Sequence, residues 1–276
     1  MHQLKLATEA TNTNTLEKRI SFGSNGIKLN GKLFLPAGAS RHHCVPGAVL
    51  CHGYGNDQAS FETSARTMSK EGIAILTFDF RGHGSSGGTL DGRMVEDVLD
   101  AWDYLHSQPE VDRKRMGLIG HSMGAISAVM AAGKLKKARA LVTLACPGEI
   151  KHVVMENPDH IAYPWFRRVI GLIMRISTRV SKLKVRVDFH KFLDAFPKMK
   201  VSEALAGLED CSKLFVFCIS DRVTPYNRFL YSYARSSEPK QVILTNGNHN
   251  TPLESDTLRS HWTSWAIRTL HGRHDD

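Results

Sequence analysis

The sequence contains no apolar run reaching the ~18 residues that would suggest a membrane span. It has no C-x-x-C pair, and its five cysteines (Cys44, Cys51, Cys146, Cys211 and Cys218) are odd in number. Cys51, Cys146 and Cys218 sit in apolar runs, where a thiol behaves as a small hydrophobe. A disulfide framework is therefore a poor reading, and a reducing, cytoplasmic setting is expected. The segment Met1–Thr15 lacks the apolar stretch of a secretory signal and is expected to fray in solvent. Repeats, low-complexity tracts and linkers rich in Pro, Gly and Ser are all missing, so one domain over residues 1–276 is the default. Acidic residues are missing over one long stretch: none occurs from His160 to Val187, in a chain whose formal charge is +9.

What is present is ordinary for a packed protein, with 42% hydrophobic and 23% charged residues. Lys18–Phe22 and Ile27–Leu35 form an expected hairpin around Asn25-Gly26, a pair that favours a tight primed turn. After it, short apolar runs alternate with amphipathic ones. Strands are expected at Gly47–Cys51, Ile73–Phe78, Met116–Ile119, Ala140–Ala145, Leu214–Ile219 and Val242–Leu244. Helices are expected at Ala59–Lys70, Val95–Leu105, Ala125–Ala132, Tyr226–Tyr233 and around Leu258–Leu270. This alternation predicts an α/β fold, a mostly parallel central sheet with helices on both faces. It breaks between Cys146 and Ser212, too long a gap for a simple connection. A helical cap inserted at about residues 147–208 is the expectation.

The strongest chemical signal is Gly120-His121-Ser122-Met123-Gly124, directly after one expected strand and directly before a helix. G-x-S-x-G in that context is the nucleophile elbow, a sharp turn that lifts the serine clear of the backbone. A serine hydroxyl needs a base, and in this arrangement the partners follow in the order serine, acid, histidine. Asp221 follows the strand Leu214–Ile219 and His249 follows Val242–Leu244, which puts both on the sheet edge that carries Ser122. Glu149 and Asp79 are competing acids; Asp79 precedes the serine and breaks the order. For the oxyanion, the amides of Met123 and of Tyr54, in His52-Gly53-Tyr54-Gly55-Asn56, are the expected donors. The glycine-rich Asp79–Gly88 segment is not a phosphate cradle, since no Lys-Ser/Thr follows it. It reads as support for the site wall, through Asp79 and Arg81.

These pieces together resemble the α/β-hydrolase superfamily, over roughly Lys18–Leu270. The resemblance rests on His52-Gly53, on Asp79-x-Arg81-Gly82-x-Gly84-x-Ser86, on the Gly-His-Ser-Met-Gly elbow and on Asp221 and His249. Within it the chain is most similar to esterases, monoacylglycerol-lipase-like enzymes and serine-aminopeptidase-like hydrolases. The resemblance implies ester, thioester or amide hydrolysis through an acyl-enzyme, without metal or cofactor. Esters of small to medium, apolar acyl groups are the expected substrates, with thioesters and peptides as alternatives. Tyr54 and Gly55 depart from the Gly-Gly-Gly oxyanion loop of some lipases, which argues against bulky tertiary-alcohol esters.

From Tyr163 to Arg186 a two-sided pattern appears. Phe166, Ile170, Ile173, Ile176, Val180 and Leu183 recur at helical spacing, with Arg168, Arg175, Arg179, Lys182 and Arg186 on the other side. It reads as a cap helix with a solvated basic face, as a surface for an anionic membrane, or as contact with a charged substrate or protein. Nucleic-acid binding is not expected, because no recognition motif accompanies the charge.

Overall fold

A computed structural model describes residues 15–148, 185–195 and 198–272. Its centre is an eight-stranded sheet in the order β1-β2-β4-β3-β5-β6-β7-β8. The strands are β1 (Thr15–Ser24), β2 (Ile27–Pro36), β3 (Val45–Cys51), β4 (Ala74–Phe78), β5 (Val111–His121), β6 (Ala140–Leu144), β7 (Ser212–Cys218) and β8 (Lys240–Thr245). β1 and β2 form the hairpin, and β2 meets β4 antiparallel. From β4 to β8 every pairing is parallel. Every residue of β3, β4 and β6 is buried, because helices cover both faces and no position can be polar-out.

On one face lie α1 (Glu62–Lys70) and the long C-terminal helix α8 (Asp256–His271). Met68, Trp262, Trp265 and Leu270 pack there against Ile75, Ile119, Val142 and Val216 of the sheet. On the other lie α2 (Met94–His106), α3 (Met123–Leu135), α5 (Val201–Ala206) and α6 (Leu230–Arg235). The short helices α4 (Phe189–Ala195) and α7 (Thr251–Glu254) complete the described set. Among the described residues no helix is long and apolar enough to cross a membrane.

The chain steps from β3 outward to β4, then back across β3 to β5. That reversal opens a crevice beyond the carboxyl ends of β3 and β5, where open α/β sheets bind their ligands. Cys51 and Gly120 pair at this point.

Three expectations change. The helix expected over Tyr226–Tyr233 is a 3-10 turn at Tyr226–Arg228 followed by α6, with Phe229 turning inward between them. β5 begins at Val111, five residues earlier than its apolar run, because Val45 pairs with Val111. Arg186 is not on a helix. It lies in extended chain whose neighbours Val185 and Val187 bridge His83 and Leu90. Its guanidinium donates to the carbonyls of Ser86 and Gly88, so it fastens this strand to the glycine-rich loop. The rest of the basic stripe, Glu149 and most of the expected cap lie outside the described residues.

Candidate active site

β5 runs straight into the elbow. Ser122 has φ 53° and ψ −116°, a left-sided conformation that costs a non-glycine residue energy and is held by its surroundings. Its amide donates to Leu144 O at 2.9 Å, tying it to the end of β6. A side chain on Gly120 would run into the backbone of Gly124, and one on Gly124 into the carbonyls of Cys51 and His52. Both glycines are thus required by the close approach of β3, the turn and α3. Ser122 is half-buried between buried His121 and Met123, at the N-terminus of the 13-residue α3. That end carries unpaired amides and the positive pole of the helix dipole.

Asp221 and His249 come together from the loops after β7 and β8. The two loops are laced by backbone bonds, Ile219 N to Thr245 O at 2.9 Å and Ser220 N to Gly247 O at 3.1 Å. His249 Nδ1 lies 2.8 Å from Asp221 Oδ2. Asp221 Oδ1 accepts the amides of Val223 (2.8 Å) and Thr224 (2.9 Å), and Oδ2 also accepts the Thr224 hydroxyl at 2.6 Å. Burial on its own would raise the Asp221 carboxyl, but the bonds from His249 and Thr224 outweigh it and hold the pKa at about 2. Asp221 is therefore a carboxylate that accepts from Nδ1, which leaves Nε2 of His249 as the proton acceptor.

The histidine is fixed from behind as well. His121, next to Ser122, donates through Nε2 to His249 O at 2.9 Å, and the two rings lie 4.8 Å apart. The loop after β3 closes the other side. A Cβ on Gly53 would lie 3.3 Å from Ser122 Cβ, so its bare backbone is what fits against the serine. Tyr54 follows, its ring stacked at 6.1 Å on Phe192 and edge-on at 6.0 Å to His83.

Sequence reasoning gave no role to the two histidines that shape this loop, although His52 stands in the His52-Gly53 pair. His52 donates from Nδ1 to Gly53 O at 2.8 Å and accepts the Phe80 amide on Nε2 at 3.0 Å. His83 donates to Arg81 O at 3.1 Å and accepts the Gly55 amide at 3.2 Å. Asp79 braces the same region, accepting the amides of Gln58 at 2.8 Å and Ser85 at 2.9 Å. Its carboxylate is thereby engaged away from His249. Arg81 stands behind this loop: wholly buried, it pairs with Asp97 at 2.7 Å and Asp91 at 3.2 Å. No thiol competes as nucleophile here: burial raises Cys51, and it pushes Cys146 up to about 12. No cluster that could hold a metal ion occurs among the described residues.

Burial lowers His52 and His121 to about 4 and His83 to about 3. Each is neutral in the folded protein near pH 5, whereas in the unfolded chain each takes up a proton below ~6.5. Between those values the unfolded state holds more protons, so stability falls as pH falls, by about 1.4 kcal/mol per pH unit for each proton. Asp221 adds the same sign lower down, its contribution present above about 4 and lost toward 2. The urea midpoint is expected to fall steadily from pH 7 to 5. Equal midpoints at those two values would show that the three histidines are not held neutral.

A protein family described as serine aminopeptidase, S33, matches residues 47–201. Thiohydrolase aneE of Aspergillus aculeatus is 32% identical over 129 residues, 45% of this chain and 39% of that relative. The match thus spans about two fifths of that relative's length. The α/β hydrolase GrgF from Penicillium sp. sh18 superposes with a TM-score of 0.73 at 18% identity, covering 93% of this chain and 99% of GrgF. Acetyl xylan esterase 1 from Thermoanaerobacterium sp. JW/SL YS485 gives a TM-score of 0.70 at 14% identity, covering 95% and 86% of the two chains.

Proposed function

The chain belongs to the serine aminopeptidase S33 family of α/β hydrolases, and from that premise we propose that it hydrolyses carboxylic esters of small to medium, apolar acyl groups. The observation that carries the reading is the 2.8 Å contact of His249 Nδ1 with Asp221 Oδ2, beside the strained Ser122 on the same sheet edge. In this reading Ser122 Oγ attacks the acyl carbonyl while His249 Nε2 takes its proton. The oxyanion forms between the amides of Met123 and Tyr54, at the positive end of α3. Its collapse expels the alcohol, which receives the proton from His249. Water then repeats the two steps on the acyl-enzyme. Asp221 holds the imidazole in the working tautomer throughout. The aromatic wall of Tyr54 and Phe192 supports an apolar acyl group.

A thioester substrate is the second reading, favoured by the relative named a thiohydrolase. The test is a panel of p-nitrophenyl esters, acyl thioesters and aminoacyl p-nitroanilides of matched acyl groups, after labelling with a fluorophosphonate. Covalent labelling and an ester kcat/KM at least about tenfold above the others support the proposal. Thioesters ahead of esters would move the assignment to a thioesterase, and anilides ahead of both to a peptidase. Absence of labelling would remove the serine chemistry altogether.

A further inference from the structure

Thr224 lies three residues beyond the acid, in a loop, yet its hydroxyl sits at the junction of the whole site. It is buried, with 4% of its surface exposed. Its Oγ1 lies 2.6 Å from Asp221 Oδ2, 3.1 Å from Ala145 O and 3.2 Å from His249 Nδ1. A hydroxyl carries one hydrogen and two acceptor lone pairs. The shortest of the three contacts is to a carboxylate oxygen, which has no hydrogen of its own. The hydrogen therefore goes to Asp221, and a lone pair of Oγ1 faces the N–H of His249. The acid and base meet each other through one bond and share Thr224 as a second support.

A separate feature points the same way. Ala145 has φ 51°, a left-handed conformation that a residue with a Cβ adopts at a cost. It follows the last residue of β6, and its amide bonds Val216 O at 2.9 Å. This turn sends two successive carbonyls to two parts of the site. Leu144 O receives the amide of Ser122, and Ala145 O lies against the Thr224 hydroxyl. The end of β6 thus holds the nucleophile's backbone through Leu144 O, and the Ala145 amide that follows it bonds β7, the strand leading into the loop that carries the acid. Backbone strain of this kind persists where the surroundings over-determine it.

We propose that Thr224 is a positioning residue, whose hydroxyl sets the imidazole of His249 relative to Ser122 by donating its hydrogen to Asp221 Oδ2 and offering a lone pair to the His249 Nδ1–H. This rests on the serine-hydrolase reading above. It touches no substrate in that reading, so its loss reduces the rate of the chemical step and leaves binding alone. A hydrogen bond to a charged group is worth enough that its removal is expected to lower kcat roughly 10- to 30-fold.

The experiment compares Thr224→Val, which keeps the shape and removes the hydroxyl, with Thr224→Ser, which keeps the hydroxyl and removes the methyl. Both are assayed on p-nitrophenyl butyrate beside Ser122→Ala, with thermal melts of each. Thr224→Val is expected to lose kcat with KM within about twofold, and Thr224→Ser to stay within about threefold of the parent. A purely structural threonine would give the opposite ranking, since serine also removes buried volume. Equal losses in the two variants, or full activity in a folded Thr224→Val, would overturn the proposal. The parallel control separates the two levels. A dead Ser122→Ala with an unchanged Thr224→Val removes Thr224 alone, whereas an active Ser122→Ala removes the reading on which it stands. Should Thr224→Val melt below the assay temperature, the kcat of Thr224→Ser against Thr224→Ala at reduced temperature decides the same question, with equal rates overturning the role of the hydroxyl.

Discussion

Ser122→Ala is expected to lower ester turnover by at least ~10³-fold while the fold stays intact, because the covalent route disappears. The size of the effect follows from what remains. In the proposed mechanism the donors at the N-terminus of α3 and in the Gly53–Tyr54 loop still surround the carbonyl, but no oxygen stands on the elbow to attack it. The fold has little reason to respond, because no hydrogen bond among the described residues engages the serine hydroxyl. The bonds that hold the turn are those of its backbone, the amide to Leu144 O and the carbonyl to the amides of Ala125 at 3.0 Å and Ile126 at 3.2 Å. Alanine retains them. It also carries the same Cβ into the same strained φ, so the local cost of the turn is unchanged. A melt equal to that of the parent within a few degrees, with loss of fluorophosphonate labelling and of turnover, is the expected pattern. Retention of more than a tenth of the activity in a folded variant would remove Ser122 from the proposed mechanism.

The parts of this molecule that were legible in the sequence are those with a period or a motif. Buried parallel strands announce themselves as apolar runs, and β4, β6 and β7 lie within a residue or two of where those runs stand. The elbow is legible because its glycines have a steric cause. Asp221 and His249 are legible as loop residues that follow two successive strands, so topology brings them to one edge. What stayed hidden has no such signature. The amino end of β5, with Asp112, Arg113, Lys114 and Arg115, looks like a polar loop; these residues bridge the register shift between Val111, paired with Val45, and Met116, paired with Gly47. Arg186 looked like one more cation of a helical stripe, and only tertiary contact shows that its partners are two carbonyls of the glycine-rich loop. The motif marks Arg81 as support for the site wall, but its partners Asp91 and Asp97, which it meets in the interior, have no signature in the sequence. Thr224 and His121 are single polar residues whose meaning lies in the atoms they meet, His249 O for His121 and both Asp221 and His249 for Thr224.

The second large effect concerns Asp221→Asn, expected to lower kcat by roughly 10²–10⁴-fold at little cost in folding. The geometry fixes how the amide must sit. Oδ1 accepts two backbone amides, from Val223 and Thr224. An asparagine that placed its NH2 there would press donor against donor, and each buried group left unpaired costs about 1–3 kcal/mol. Its carbonyl therefore takes the Oδ1 position, and its NH2 takes the position of Oδ2, facing Thr224 Oγ1 and His249 Nδ1. A donor at that position makes Nδ1 the acceptor, which moves the imidazole hydrogen to Nε2. In the proposed mechanism Nε2 must be free to take the serine proton, and in this variant it is not. The charge that steadies the imidazolium is lost as well. Glu149→Gln serves as the comparison, expected to stay within about threefold of the parent, since the sequence offers Glu149 as the rival acid. The two kcat values on a common ester decide between them. A large loss in Glu149→Gln with a mild one in Asp221→Asn would transfer the acid's role to the earlier strand. A mild loss in Asp221→Asn alone would mean that His249 keeps its tautomer without Asp221, and that the short contact between them is not what activates Ser122.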